Sequence, residues 1–417
     1  MALLKVEGGR RLSGKLTVEG NKNSALPLIA ACLLTQEPCV IENVPRIRDV
    51  QVLLDLLQGL GATVEGQGTS TLRICCRDVT SDRPDPVQVG KLRGSVLLLG
   101  PLLARRGSAR LSQPGGDFPT RRTITTHIQA LVAMGAVPLD EPGHALEVAD
   151  GLHGASLYLD EASVTGTETA LLAASAARGP SEIRHAATEP HVNELCRFLQ
   201  AMGVGIQGAG TSTLTIDPPA RIGGATHRLD GDYIEAGSWG VVAAITGGEI
   251  EVAGARTIDL EVIAAPLLKM GLRCTYDDDL LRVHPSTLSA ARKITTGLWP
   301  GFPSDMVSLV TVLATQSEGR TLVHDWLYEL RLFALEQLSA MGADLFLCDP
   351  HRIIVSGRTK LRGRDLDSRD LRSGMALIAA ALAAEGESTI RPLETVERGY
   401  ASLVDRLRLL GATVERV

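Results

Sequence analysis

A dipeptide of leucine or methionine followed by glycine recurs six times along the 417-residue chain, each time between an amphipathic stretch and a short apolar strand pattern. The recurring glycines are Gly61, Gly135, Gly203, Gly271, Gly342 and Gly411, at successive intervals of 74, 68, 68, 71 and 69 residues. A near-constant period of this length indicates that one supersecondary unit was copied six times. The architecture can therefore be predicted from a single copy.

Each copy contains two helix patterns of different character. In the last copy, apolar residues from Tyr400 to Leu410 follow helical spacing, and residues 412–417 then alternate like a strand. The second pattern is rich in glycine and alanine and apolar nearly all round, which is typical of a helix buried on every side. We expect these inner helices to begin near Ser24, Gly94, Gly166, Ile234, Asp305 and Ser373. A hairpin pattern over residues 273–283 completes a mixed α/β unit.

The length of the chain exceeds what one hydrophobic core usually sustains, so we expect two domains of three repeats each, divided near residues 229–231. No run of 18 apolar residues and no signal-peptide pattern is present, which favours a cytoplasmic protein without membrane insertion. The net charge of -6 argues against nucleic acid as a partner. The sequence does not fix the number of subunits and is compatible with a monomer.

Two residue types argue against a bound metal or a disulfide framework. The seven cysteines show no Cys-x-x-Cys spacing and fit reduced, buried thiols. The nine histidines show no metal-ligand spacing. We therefore expect neither a metal nor another cofactor.

Polar residues stand at the starts of the six inner helices, where free backbone N–H groups and the helix dipole favour anions. They are Lys22, Asn23, Arg93, Ser163 and Thr165 on either side of Val164, Asp232, Glu235, Ser304, Asp305, Asp370 and Arg372. If the inner helices pack in parallel, these positions meet in a cleft between the domains and suit a small polyanion. The alternative is that the short polar residues are only N-caps and the cations are only solvated.

Two segments depart from the repeat. Residues 113–122 hold two glycines, two prolines and an arginine pair, which is typical of a mobile loop and predicts a lid; an ordinary surface connection is the alternative. In the second segment, Arg398, Gly399 and Tyr400 precede the amphipathic helix of the last copy. We call the amphipathic helix of each copy the outer helix, because its charged residues should face solvent.

Several short motifs together resemble the enolpyruvyl transferases over the full chain, and among them those that act on UDP-N-acetylglucosamine. The motifs are residues 20–27, Leu92-Arg93, residues 99–102, residues 113–116, residues 302–306, residues 370–372 and residues 398–400. The resemblance implies an inside-out α/β fold in two domains, each with three repeats of about 70 residues. Residues 22–230 are expected to form the N-terminal domain with a lid at 113–123. Residues 1–21 plus 231–417 are expected to form the C-terminal domain.

The resemblance also implies a reaction and a set of site residues. The enolpyruvyl group of phosphoenolpyruvate passes to the 3′-hydroxyl of UDP-N-acetylglucosamine, and phosphate leaves. Phosphoenolpyruvate is expected to contact Lys22, Asn23, Arg122, Arg331, Arg372 and Arg398, since a polyanion needs several fixed cations. The nucleotide sugar is expected to contact Arg93, Arg122, Thr123, Ile124, Thr125, Thr126, Ser163, Val164, Thr165, Asp305 and Leu327. Asp305 is expected to be the general base.

The chain has Asp117 where the family usually carries a lid cysteine that donates a proton. A thiol is mostly protonated at pH 7, whereas a carboxyl is not. Asp117 can act as the acid only if closure over an anionic substrate and exclusion of water raise its pKa, because Arg121 and Arg122 act in the opposite direction. The same difference predicts resistance to fosfomycin, which alkylates the family's cysteine. An enolpyruvyl transferase with another acceptor, such as shikimate 3-phosphate, and a non-catalytic nucleotide-sugar-binding paralogue remain as alternatives.

Overall fold

The computed structural model describes residues 2–115, 123–140 and 144–417, and these fall into two compact units. The described residues 20–115 and 123–230 form one, called here the N-terminal unit, and residues 2–19 and 231–417 form the other, the C-terminal unit. The helices are α1 Lys22–Ala31, α2 Arg48–Gly59, α3 Pro86–Val89, α4 Leu99–Arg106, α5 Thr125–Ala133, α6 Val164–Ser175, α7 Pro190–Ala201, α8 Tyr233–Thr246, α9 Thr257–Leu268, α10 Val307–Thr315, α11 Gln337–Ala340, α12 Leu371–Ala383, α13 Leu393–Val396 and α14 Leu403–Leu409. Short 3-10 helices span Cys32–Leu34, Arg93–Leu98, Ser304–Met306 and Arg331–Glu336.

The strands are short and spread along the whole described chain. The first group is β1 Leu4–Glu7, β2 Ser13–Thr17, β3 Cys39–Glu42, β4 Thr63–Glu65, β5 Thr71–Cys75, β6 Ser108–Arg110, β7 Val137–Pro138, β8 Ala145–Glu147, β9 Ser156–Tyr158, β10 Ser181–Arg184, β11 Gly205–Gln207, β12 Thr213–Asp217 and β13 Thr226–Arg228. The second group is β14 Glu249–Ala253, β15 Arg273–Asp277, β16 Leu280–His284, β17 Lys293–Thr295, β18 Gly319–His324, β19 Asp344–Asp349, β20 Arg352–Gly357, β21 Asp365–Asp367, β22 Glu387–Arg391 and β23 Thr413–Arg416.

Among the described residues, each unit holds three small sheets. In the N-terminal unit the strand orders are β13-β3-β5-β4, β6-β8-β7 and β11-β12-β10-β9. In the C-terminal unit they are β15-β16-β14-β2, β17-β18-β20-β19 and β21-β22-β1-β23. The first two strands of the chain belong to the C-terminal unit, because β1 pairs antiparallel with β22 and β23 while β2 pairs parallel with β14. One sheet per copy confirms the six predicted repeats and the mixed α/β class.

The inner helices occupy the cores of the units, as their composition predicts. In α8 every residue from Tyr233 to Ala244 is buried, and in α12 every residue from Leu371 to Leu382 is buried. In the C-terminal unit α8, α10 and α12 pack against one another, and the three sheets surround them with apolar side chains. A helix buried on every side has little room to shift, so residues at its start are held firmly.

The six recurring glycines end the outer helices in the left-handed backbone region. Their φ angles lie between 81° and 106°, which a residue with a Cβ rarely adopts. The periodic glycine is therefore a helix C-terminal signal, and this is why it marked the repeat. One helix limit was wrong: α14 begins at Leu403, and Tyr400 precedes it as a fully buried residue. In the described part of the chain, none of the helices combines the length and apolar character that crossing a bilayer requires.

Candidate functional site

The C-terminal unit places an aspartate between two arginines. Asp305 lies in the 3-10 helix Ser304–Met306, which leads directly into α10. Its Oδ2 accepts a hydrogen bond of 2.8 Å from Nη2 of Arg372, and its Oδ1 accepts one of 3.1 Å from Nη1 of Arg331. The Asp305 side chain is 26% exposed, and the arginine side chains are 8% and 12% exposed. Two guanidinium groups therefore bind one partly accessible carboxylate through charge-assisted hydrogen bonds.

A buried hydroxyl and a second carboxylate hold Arg331. Nη1 of Arg331 also donates to the Ser304 hydroxyl at 2.8 Å, and that hydroxyl donates to Oδ2 of Asp325 at 2.7 Å. Asp325 is fully buried, and its Oδ1 accepts from the backbone N–H of Leu327 at 3.2 Å. Burial disfavours the charged form of Arg331, but Asp305 and Asp325 outweigh it and raise the pKa. Leu327, expected from the resemblance, thus shares a network with Asp305.

Arg372 is fixed through both its backbone and its side chain. Asp370 is the N-cap of α12, and its Oδ1 accepts from the backbone N–H groups of Arg372 and Ser373 at 3.0 and 2.9 Å. The guanidinium donates through Nη1 to the Tyr400 hydroxyl at 3.4 Å. Burial works against the charge on Arg372, but Asp305 and Tyr400 outweigh it and raise the pKa. Arg372 is therefore permanently charged, and its guanidinium is held in contact with Asp305.

The position of Asp305 depends on a glycine in α8. A Cβ on Gly237 would lie 2.6 Å from Cγ2 of Ile263 and 2.9 Å from Cε of Met306. Met306 follows Asp305 directly and is completely buried. Because Gly237 has no side chain, Met306 can pack against α8 at this point and so fix the short helix that carries Asp305.

In the N-terminal unit, Lys22 is paired with an aspartate that sequence reasoning missed. Lys22 and Asn23 are the first residues of α1, and the N-cap Asn21 accepts from the N–H of Asn23 at 2.8 Å. Nζ of Lys22 lies 2.7 Å from Oδ2 of Asp49, in the first turn of α2, and both side chains are almost completely buried. The signal in the sequence was weak, because an acidic residue in a first helical turn is common.

Most of the residues that were expected to contact the nucleotide sugar lie around the starts of α5 and α6. Nη2 of Arg93 donates to the carbonyl oxygen of Thr123 at 2.7 Å. Ser163 is the N-cap of α6 and accepts from the N–H of Gly166 at 3.2 Å. The helices α5 and α6 pack together, and Nε2 of His127 lies 2.8 Å from the Thr165 hydroxyl oxygen. The structure therefore groups Arg93, residues 123–126 and residues 163–165 in one place.

His127 was not predicted from the sequence, and it is neutral. The residue is 2% exposed. Burial, assisted by the nearby charge of Arg93, lowers its pKa to about 3. A neutral ring beside Thr165 can serve as a hydrogen-bond partner but not as a cation at physiological pH.

The predicted site residues not yet described are Asp117, Arg122 and Arg398. Asp117 and Arg122 lie outside the described residues, as does most of the expected lid. Arg398 is half-buried between α13 and α14. Among the described residues, no cluster of three histidine, cysteine or acidic side chains is arranged to hold a metal ion. The described site residues form the Asp305 group in the C-terminal unit, and the Lys22–Asp49 pair and the group around α5 and α6 in the N-terminal unit.

Comparison with known proteins decides the family. The sequence profile of EPSP synthase (3-phosphoshikimate 1-carboxyvinyltransferase) matches residues 6–407. The chain belongs to the EPSP synthase family. The crystal structure of the enolpyruvyl transferase NikO from Streptomyces tendae is similar with a TM-score of 0.89 at 27% identity, covering 100% of this chain and 99% of that one. EPSP synthase from Acinetobacter baumannii shares the fold, with a TM-score of 0.78 at 20% identity over the full length of both chains.

Curated relatives of this family member match along its full length. A protein of Bradyrhizobium diazoefficiens named UDP-N-acetylglucosamine 1-carboxyvinyltransferase is 44% identical, over 99% of this chain and 97% of its own. A protein of Treponema denticola with the same name is 40% identical over 98% of each. The fold class and the family predicted from the sequence are therefore confirmed.

Proposed function

We propose that this protein transfers the enolpyruvyl group of phosphoenolpyruvate to the 3′-hydroxyl of UDP-N-acetylglucosamine and releases phosphate. The structural observation that carries the proposal is Asp305, a carboxylate that is partly accessible and bound by Arg331 and Arg372. The choice of acceptor is supported by the names of the relatives at 44% and 40% identity. We further propose that the units correspond to domains 22–230 and 1–21 plus 231–417, and that the reaction serves peptidoglycan synthesis in the cytoplasm.

The anionic substrate calls for the cations found at the helix starts. Phosphoenolpyruvate carries a phosphate and a carboxylate, both of which guanidinium forks bind through paired hydrogen bonds. We assign it to Lys22, Asn23, Arg122, Arg331, Arg372 and Arg398. Arg372 is buried and Arg331 is largely so, and both fit this role because each is permanently charged and already bound to a carboxylate.

The nucleotide sugar is assigned to the group around α5 and α6. Its contacts are proposed to be Arg93, Arg122, residues 123–126, residues 163–165, Asp305 and Leu327. The support is that the dipole at the start of α6 and the Arg93 cation both favour a diphosphate.

The reaction needs one base and one acid. Asp305 takes the proton of the 3′-hydroxyl as its oxygen attacks C2 of phosphoenolpyruvate, while C3 gains a proton from the acid, which we propose is Asp117. Loss of phosphate from C2 and of a proton from C3 then forms the enol ether. Binding of the substrate anion by Arg331 and Arg372 would weaken their hold on Asp305, which makes the carboxylate a better base.

The proposed function is tested by measuring phosphate release from phosphoenolpyruvate with UDP-N-acetylglucosamine, with shikimate 3-phosphate and with no acceptor. We expect turnover with the nucleotide sugar alone and its loss in Asp305→Asn. Turnover with shikimate 3-phosphate would instead indicate another acceptor. Saturable binding of the nucleotide sugar without any turnover would indicate the non-catalytic paralogue.

A further inference from the structure

A chain of hydroxyl groups connects the interior of α8 to Arg372, and its Ser238 member has no role in the proposed reaction. It runs from the backbone carbonyl of Ile234 through Ser238 and Tyr400 to Arg372. We propose that Tyr400 and Ser238 are positioning residues that hold Arg372 in the orientation in which it contacts Asp305 and binds the substrate anion. This inference rests on the proposed function, because it assumes that Arg372 binds phosphoenolpyruvate.

The direction of each hydrogen bond follows from the number of protons available. The Ser238 hydroxyl has one proton, and it donates it to the carbonyl oxygen of Ile234 at 2.7 Å. The contact of 2.7 Å between the Ser238 and Tyr400 oxygens must then be donated by Tyr400. The Tyr400 oxygen is left as an acceptor, and Nη1 of Arg372 donates to it at 3.4 Å. Every bond in the chain therefore depends on the one before it.

Burial makes this arrangement stable. Ser238 and Tyr400 are both 0% exposed, so water cannot replace either partner. Burial also raises the pKa of Tyr400 above its ordinary value, more than Arg372 and Ser238 lower it, so the hydroxyl keeps its proton. A neutral tyrosine donates to Ser238 and accepts from Arg372 at any working pH.

The geometry at Arg372 gives the chain a specific effect. Nη2 binds Asp305 and Nη1 binds Tyr400, so the two contacts together fix the plane of the guanidinium. The centre of the guanidinium also lies 5.9 Å from the centroid of the Tyr400 ring. Removal of the Tyr400 hydroxyl leaves the Tyr400 ring and the contact between Arg372 and Asp305 in place. It removes the oxygen that accepts the hydrogen bond from Nη1 of Arg372. We therefore expect weaker anion binding rather than loss of chemistry.

The experiment measures binding of phosphoenolpyruvate by calorimetry and initial rates with both substrates, in wild type, Tyr400→Phe, Ser238→Ala, the double variant and Ser238→Thr. We expect Tyr400→Phe to weaken phosphoenolpyruvate binding roughly 10-fold and Ser238→Ala roughly 3-fold, the losses for a hydrogen bond to a charged and to a neutral group. In both variants KM for phosphoenolpyruvate should rise by a similar factor, while kcat and KM for the nucleotide sugar change less. The double variant should match Tyr400→Phe, because Ser238 acts through Tyr400. Ser238→Thr keeps the hydroxyl and should restore binding.

A neighbouring serine provides a matched control. Ser308 in α10 is also 0% exposed, and its hydroxyl has no hydrogen-bond partner among the described residues. Ser308→Ala removes the same group from an inner helix and should leave binding unchanged. Thermal unfolding checks that each variant folds, and Ser238→Ala keeps the test available if Tyr400→Phe does not fold.

Two results would overturn the positioning role. One is that folded Tyr400→Phe binds phosphoenolpyruvate with wild-type affinity. The other is that Ser308→Ala weakens this binding as much as Ser238→Ala does, which would indicate a general packing effect. Arg372→Ala separates this failure from failure of the proposed function. If Arg372→Ala weakens binding and Tyr400→Phe does not, only the positioning role is wrong. If Arg372→Ala binds phosphoenolpyruvate normally, the assignment of Arg372 is wrong and the positioning role falls with it.

Discussion

The buried imidazole of His127 predicts a loss of stability in mild acid that can be calculated. Its pKa is about 3 in the folded protein against an ordinary value of 6.5. Because the unfolded chain binds this proton more tightly, the folded state loses stability as the pH falls from 6.5 toward 3. At 1.36 kcal/mol per pH unit, His127 costs about 2 kcal/mol at pH 5 relative to pH 7.5.

The effect is isolated by comparison with His127→Gln, which cannot titrate. Urea unfolding should be followed by circular dichroism, because all three tryptophans, at positions 239, 299 and 326, lie in the C-terminal unit and do not report on α5. Between pH 7.5 and pH 5 the wild type should lose about 2 kcal/mol more unfolding free energy than the variant. Equal losses in the two proteins, or an NMR titration of His127 near its ordinary pKa, would refute the reasoning.

Three further predictions concern other parts of the molecule. Asp49→Asn leaves the buried Lys22 ammonium without its carboxylate and should lower the unfolding free energy by about 3 kcal/mol, measured by the same urea titration; a change below about 1 kcal/mol would contradict a buried ion pair. Gly237→Ala should destabilise by about 1 to 3 kcal/mol and lower kcat by displacing Asp305, whereas Gly240→Ala, whose nearest neighbour is a leucine methyl at 3.3 Å, should stay within about 1 kcal/mol of wild type. Incubation with fosfomycin should add no mass to the intact protein, because Asp117 is a poorer nucleophile than a thiol; a covalent adduct at Asp117 would overturn that prediction.

The sequence predicted those parts of the structure that depend on local pattern. Period and composition predicted the repeats and the burial of the inner helices, whereas the grouping of Arg93 with Ser163 was expected only from the resemblance to the enolpyruvyl transferases. It did not predict the partner of Lys22 or the role of Tyr400, because these contacts join segments far apart in the chain. Ser238 and Tyr400, for example, are separated by 162 positions. Such pairs are decided by tertiary packing, which leaves no periodic signal in one sequence.

The helix starts explain how an acidic protein can present strong cations. Asn21 and Asp370 each accept from the backbone N–H groups of their helices, and a cation follows within two residues. The cap binds the free N–H groups, so the helix start keeps its geometry without an anion, while the cation adds charge of the sign that an anion seeks. Because the helix behind it is buried on every side, the cation cannot move away with its backbone. Ser238 in α8 reaches Arg372 only through the Tyr400 hydroxyl, so its substitution should affect anion binding through that contact rather than through the start of its own helix.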